Sequence, residues 1–490
     1  MTRSNIQSAN SGPTEPVTPL EFYGGTLGLF TPFILMFVGI LWLGILGDSL
    51  PEAFWPVVLV SLFTGMVLAR DKKGYVDALI AGVASPMMAI MLLAWMLGGI
   101  FGALLSVSGV IEGLIWLASQ TAFSPVWYPL ITFFVACLLS LCTGSSIGTL
   151  LAVTPVLFPA CFSLGADPFL LIGALIGGAY FGDNLAPISD TTIVSAYSQG
   201  TSVSRVVRSR LRYAAVAALI TIAIYLFFAL TSEGPASADN ALLIEAQPRG
   251  LIMLLAPAAL LLMMLKGHHL VTALLYCIFG GSVLAMVFGL VQFSDLLKVD
   301  SNQFVVTGIV VDGIKNMLGV GIFAILLMAL IGVLERGGFL EFVMEKAKRI
   351  ATTPRRAELA IVGSSLMVNM LTTAGTLAMI ILGPFVRNLG HQFKIAPWRR
   401  GNLLDACSTS IIGFLPYSVS LLIPYSLVAR LVSDNGVTGF TPVTLIPFPF
   451  YCWVLMFVMI FAAFTGWGRE LMSDESFKAE ALELKQAEPT

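Results

Sequence analysis

Charge is what this 490-residue sequence has least of: Asp, Glu, Lys and Arg together make up 11% of it. Soluble globular chains carry roughly a quarter, so most of this surface must face something other than water. Histidine is nearly absent, at three residues. The six cysteines, at 137, 142, 161, 277, 407 and 452, have neither metal-ligand spacing nor the pattern of a secreted disulfide framework. They read as buried thiols. No nucleotide-binding loop and no catalytic constellation is found, which argues against an enzyme and against ATP-driven transport within this chain. The ~10-residue alternating segments of an outer-membrane barrel are missing too. The N-terminus lacks a basic region followed by an apolar one, so residues 1–24 read as a disordered tail rather than a signal peptide.

What is there is apolar. The chain is 57% hydrophobic, with a mean hydropathy of +0.91. Runs long enough to cross a ~30 Å hydrocarbon core recur from end to end. They lie near 28–47, 53–69, 78–105, 127–143, 147–164, 168–196, 213–231, 250–265, 269–292, 304–334, 357–371, 376–389, 400–432 and 444–466. The few basic residues are sorted: Arg70 to Lys73, the group Arg205, Arg208, Arg210 and Arg212, then Lys266, Arg336 to Arg356, and Arg387 to Arg400. By the positive-inside rule these segments are cytoplasmic, as are both termini. Segments 48–52, 106–126, 232–249, 293–303 and 433–441 are then outside.

That sorting predicts an all-α polytopic membrane protein. With 106–126 outside and 199–212 inside, 127–164 reads as a hairpin turning at "CTGSSIGT", and 168–196 makes the net crossing. The second half repeats this from the other face, with a hairpin at 357–389 turning at "MLTTAGT" and a crossing at 400–432. "TGSSIGTLLAV" echoes "LTTAGTLAMII", and each half then places one aspartate at membrane depth, Asp183 and Asp405. The chain therefore reads as two inverted repeats, 25–231 and 250–466, each with a hairpin and a broken transmembrane helix. A cytoplasmic tail follows at 467–490. Inverted repeats with interrupted helices are the architecture of many secondary transporters.

The stretch "GGAYFGDNLAPISDTTIVSA" (177–196) is the centre of the functional reading. Gly182-Asp183-Asn184 and Pro187 interrupt a segment longer than one crossing needs, so the helix should break there. Irregular backbone at membrane depth is tolerated only where protein buries it or a wet cavity receives it. The freed carbonyls, with Asp183, Asn184, Ser189, Asp190, Thr191 and Thr192, are the hard oxygen ligands an alkali cation needs. A buried carboxylate is costly bare and takes either a proton or a metal ion, not both, which is the minimal machine for cation/proton exchange. Asp183 and Asp405 are the expected Na+ and H+ ligands, with Asp190 in support. The hairpin tips, Thr143, Gly144, Ser145, Ser146 and Thr149 with Asn369, Thr372 and Thr373, are expected to face the same cavity. Gly173, Gly177, Gly178 and Gly182 read as close helix-packing positions. His268, His269 and His391 read as solvated.

"GAYFGDNLAPISDTT" resembles the signature of NhaC-type Na+/H+ antiporters, approximately GAYFGDK-S-PLSDTT, and "TGSSIGT" resembles their TGSSWGT. The resemblance implies a Na+/H+ antiporter with no cofactor, only transported Na+ and H+, and with no nucleic-acid partner. It implies a scaffold and a transport domain, elevator-like motion, a homodimer and a place in the bacterial inner membrane. It implicates Asp183, Ser189, Asp190, Thr191 and Thr192. Asn184 departs from the usual Lys and Ile147 from the usual Trp. Leu404-Asp405 stands where an acidic pair is usual, and Pro416-Tyr417 where Pro-Trp is. The alternative is a Na+- or H+-coupled carrier or exchanger of an organic anion or amino acid, of malate or lactate type. Such a carrier wants an arginine near its substrate, and only Arg387 and Arg430 lie close to apolar segments.

Overall fold

The computed structural model describes residues 19–46, 51–119, 124–231, 247–300, 305–373 and 375–487. Among them, eight helices are long and apolar enough to cross a bilayer. Their only strands are Lys298–Asp300 and Val305–Thr307, paired antiparallel. The first half runs α1 (Thr26–Leu46), α2 (Phe54–Leu68), α3 (Lys72–Val83), α4 (Pro86–Val107) and α5 (Val110–Ser119). A hairpin, α6 (Tyr128–Thr143) and α7 (Ser146–Ser163), leads to an interrupted helix, α8 (Pro168–Leu185) and α9 (Asp190–Ser198), and then α10 (Val203–Thr231).

The second half follows the same order. It runs α11 (Leu255–Leu265), α12 (Leu270–Val287), the short α13 (Phe293–Leu296), α14 (Ile309–Arg336) and α15 (Phe339–Ile350). Its hairpin is α16 (Pro354–Thr372) and α17 (Gly375–Gln392), and its interrupted helix is α18 (Pro397–Ile412) and α19 (Val419–Asp434). Helices α20 (Phe450–Thr465) and α21 (Asp474–Ala487) close the chain.

The local signals that set these ends recur in register. Pro168 and Pro397 open α8 and α18, Ser189 and Ser418 precede α9 and α19, and Gly144 and Thr373 cap α6 and α16 in left-handed backbone. Each pair is the same 229 residues apart, as 168 and 397 are. In this register Asp183 falls opposite Ile412 and Asp405 opposite Ile176, so the two acids are not mates. The Gly-Thr-Leu echo at 148–150 and 375–377 is two residues out of step with the caps.

The packing is reciprocal. Helix α7 of the first hairpin lies against α19, and α17 of the second lies against α9, while α3 and α4 pack on α14 and α12 packs on α4. Helix α8 also packs closely on α6. A Cβ on Gly182 would stand 2.4 Å from the Cys137 carbonyl oxygen and 2.4 Å from the Leu141 nitrogen, and one on Gly178 2.5 Å from the Phe133 oxygen. Backbone cannot yield as a side chain can, so Gly182→Ala is expected to force these helices apart. The measurement is thermal unfolding in detergent, with a loss of about 1–3 kcal/mol; an unchanged melting temperature would show that the two helices can part freely.

Residues 1–18 of the expected N-terminal tail lie outside the described residues. Its end is held: Leu20 N–H donates to the Arg336 carbonyl, and Phe22 bridges Ala69. Five of the six cysteines are buried, whereas Cys142 is exposed. The 467–490 segment carries α21, docked on α17. His391 is not solvated: its ring stacks on Phe477 and its Nδ1 lies 3.0 Å from Glu480 Oε2. Burial works against charge on Glu480, but Arg400, His391 and Arg387 together hold its carboxyl below the ordinary value.

Candidate functional site

Helix α8 stops because Pro187 has no N–H to offer and Ala186 and Ser189 take extended backbone around it. The break is Ala186–Ser189, a little later than the sequence suggested, and Asp183 sits in the last turn of α8. Ser189 occupies the N-cap position, and Asp190 is the first residue of α9. Pro416 lies in the corresponding break between α18 and α19.

Both broken helices and both hairpin tips converge on one cavity of about 180 Å³. Ser145, Ser146, Thr372 and Thr373 reach it from the tips, Asp183, Asp190 and Thr191 from the first broken helix, and Thr409 and Ser420 from the second. Met91 of α4 and Met328 of α14 also line it. Among the described residues no Lys, Arg or His lines it. Asp183 is 3% exposed, and its Oδ1 has no hydrogen-bond partner. The Ser189 and Ser146 hydroxyls interact with its carboxyl. Asp190, by contrast, is exposed at the cavity and accepts a hydrogen bond from Thr376 Oγ1 at 2.9 Å. An unpartnered buried carboxylate oxygen among hydroxyls is a set of hard donors suited to a small cation or a proton. Among the described residues no three His, Cys, Asp or Glu side chains cluster as a resident metal site would require.

The other expected site residues do structural work. Thr143 and Thr149 bond each other at 3.1 Å, and Ser145 caps α7 through the Gly148 N–H. Gly144, at φ 66°, lets the first tip press on Ile188 of the α8–α9 break. Thr373 makes the equivalent turn at φ 50°, where a β-branched side chain is rare and strained. Asn369 bonds Ser408 Oγ at 2.8 Å and leaves its own Oδ1 unpartnered. Asn184 accepts from Thr409 Oγ1 at 2.8 Å, and Ser189 bonds Thr191 at 2.9 Å.

Asp405 does not line the cavity. It is fully buried in an ion pair with Arg210, and its Oδ2 also accepts from Ser195 Oγ at 3.1 Å. Arg210 is the residue that the sequence concealed. Its position in the sequence groups it with a cytoplasmic basic loop, but α10 starts at Val203 and carries it inside with 0% exposure. Its Nη1 donates to the Asn184 carbonyl at 2.6 Å and to Thr192 Oγ1 at 3.0 Å, and its Nε donates to Asn402 Oδ1 at 3.3 Å. One guanidinium thus takes the carbonyl that the break frees at the end of α8, and ties α8, α9 and α18 together.

The sequence profile of the Na+/H+ antiporter family matches residues 19–230 and 240–467. The Na+/H+ antiporter NhaC of Alkalihalophilus pseudofirmus is 23% identical over 433 residues, covering 85% of this chain and 91% of the relative. The malate-2H+/Na+-lactate antiporter of Bacillus subtilis is 22% identical over 476 residues, covering 93% and 97%. The solved YdaH transporter of Alcanivorax borkumensis aligns over 90% of this chain and 99% of its own at 14% identity and a TM-score of 0.39, too distant to inform the site. These relatives are transporters rather than enzymes. Matched over most of its length, this multi-pass membrane protein belongs to the Na+/H+ antiporter family.

Proposed function

We propose that this transporter exports Na+ in exchange for H+, with Asp183 as the carboxylate that the two ions occupy by turns. The observation that carries the reading is its unpartnered, buried Oδ1 at a cavity where both hairpin tips and both broken helices meet. A bare carboxylate at membrane depth costs about 2.5–3.5 kcal/mol on insertion scales. Either ion relieves that cost, and each excludes the other.

The same reading places the protein in the bacterial inner membrane with both termini cytoplasmic, following its basic segments. It divides the chain at 25–231 and 250–466 into inverted repeats, with tails before and after, and makes the functional unit a homodimer. Exchange of organic acids, as in the malate/lactate relative, is the second reading. It is disfavoured because, among the described residues, the cavity wall carries two carboxylates and no cationic side chain, while Arg210 is buried against Asp405.

Proteoliposomes with an acid interior provide the test, with Na+, K+, malate, lactate or a basic amino acid added outside in turn. Na+ alone is expected to dissipate the pH gradient. Dissipation only by the organic solutes would sink the cation assignment.

A further inference from the structure

We propose that Arg210 is a fixed internal cation that fills a second acidic position, so that each cycle exchanges one Na+ for one H+. This rests on the Na+/H+ reading above. The core of the two broken helices contains two fully enclosed carboxylates, Asp183 and Asp405. Two such groups near each other could hold two cations. Their surroundings differ, however. Each has one unpartnered oxygen, but Asp183 lines the cavity with no cation beside it, whereas Asp405 does not line it, is 0% exposed and carries a guanidinium on its Oδ2.

A buried carboxylate–guanidinium pair is neutral as a unit and, once formed, is costly to separate. Arg210 cannot leave, because its remaining nitrogens are held by the Asn184 carbonyl, Thr192 and Asn402. Nor can it shed its proton in a protein. The charge at the Asp405 position is therefore balanced in every state of the cycle without a transported ion, although its Oδ1 has no hydrogen-bond partner. Asp190 adds no second enclosed charge, because it is exposed and already accepts from Thr376. That leaves one enclosed carboxylate to neutralise per crossing. Arg210 is thereby a positioning residue, fixing both the break in α8 and the ion count.

The prediction for the unmodified protein concerns voltage. In proteoliposomes with fixed Na+ and pH gradients and a potential clamped by K+ and valinomycin, net flux should vanish when the inside-to-outside ratio of Na+ equals that of H+, at any voltage. A null point that shifts with voltage, as two H+ per Na+ requires, overturns the proposal.

Two substitutions separate charge from mere bracing. Asp405→Asn leaves the cation unbalanced and should raise the KM for Na+ by about tenfold or more, whereas Arg210→Met leaves the anion unbalanced and should lower it. A purely structural tie would weaken Na+ binding in both. Arg210→Met with Asp405→Leu removes both charges, guards against misfolding in the single variants and should keep the voltage-independent null point. Both single variants weakening Na+ binding, or a voltage-dependent double variant, would overturn the idea. If Na+ moves no protons in the wild-type protein, the parent reading fails instead.

Discussion

Asp183→Asn is expected to lower Na+-driven proton movement in proteoliposomes by about 100-fold or more, with little change in yield or melting temperature. The substitution is nearly isosteric, so the last turn of α8 and its contacts with α6 remain. What disappears is the charge. Losing the anionic partner of a desolvated ion costs about 3–5 kcal/mol, and each 1.4 kcal/mol is a factor of ten. Stability should not suffer, because the wild-type carboxylate has an unpartnered oxygen in a nearly closed site. A neutral amide is cheaper to keep there than a bare charge. Asp190→Asn should be milder: Asp190 is exposed, and its bond from Thr376 can be kept by an amide oxygen. Exchange at the wild-type rate in folded Asp183→Asn protein would reduce Asp183 to a helix-end residue.

This expectation was legible in the sequence because its signals are local. Pro187 announces the break, Gly144 the first tip, and the glycines of α8 the close packing on α6, each through the backbone of its own neighbourhood. The hydroxyl-rich tips at 143–146 and 372–373 could be found for the same reason. What was not legible depends on partners far away in the chain. Arg210 and Asp405 are 195 residues apart, and counting basic residues to find cytoplasmic loops takes no account of burial. A sequence cue did exist: Arg210 lies only three residues before the apolar run that begins at Tyr213, close enough for one more helical turn to draw it in. The Gly-Thr-Leu echo invites pairing of the second-half acid with Asp183, but it is two residues out of register. The caps and opening prolines, which fix where helices start, give the register in which Asp405 is unmatched.

The same blindness to distance hid a second buried charge network, and its removal should have the largest effect on stability. Glu358 of α16 is 0% exposed and accepts from Arg399 Nε at 2.9 Å and Nη2 at 3.1 Å, a two-pronged contact. Arg469 adds a third bond at 2.9 Å, and Arg399 Nη1 donates to the Tyr213 hydroxyl at 2.5 Å. These residues join α16, α18 and α10 with the segment that follows α20. Glu358→Ala leaves Arg399 enclosed without its counter-charge, at a cost of about 3–5 kcal/mol. The melting temperature in detergent should fall by on the order of 5–10 °C. Glu358→Leu with Arg399→Met should recover most of that loss, since an apolar pair of similar volume replaces a buried ion pair at little cost. Both effects belong to folding rather than exchange: protein that remains folded at low temperature should still move Na+ against H+, unlike Asp183→Asn. A Glu358→Ala variant that melts with the wild type would mean that water reaches Arg399, and that the four elements are held by their apolar contacts alone.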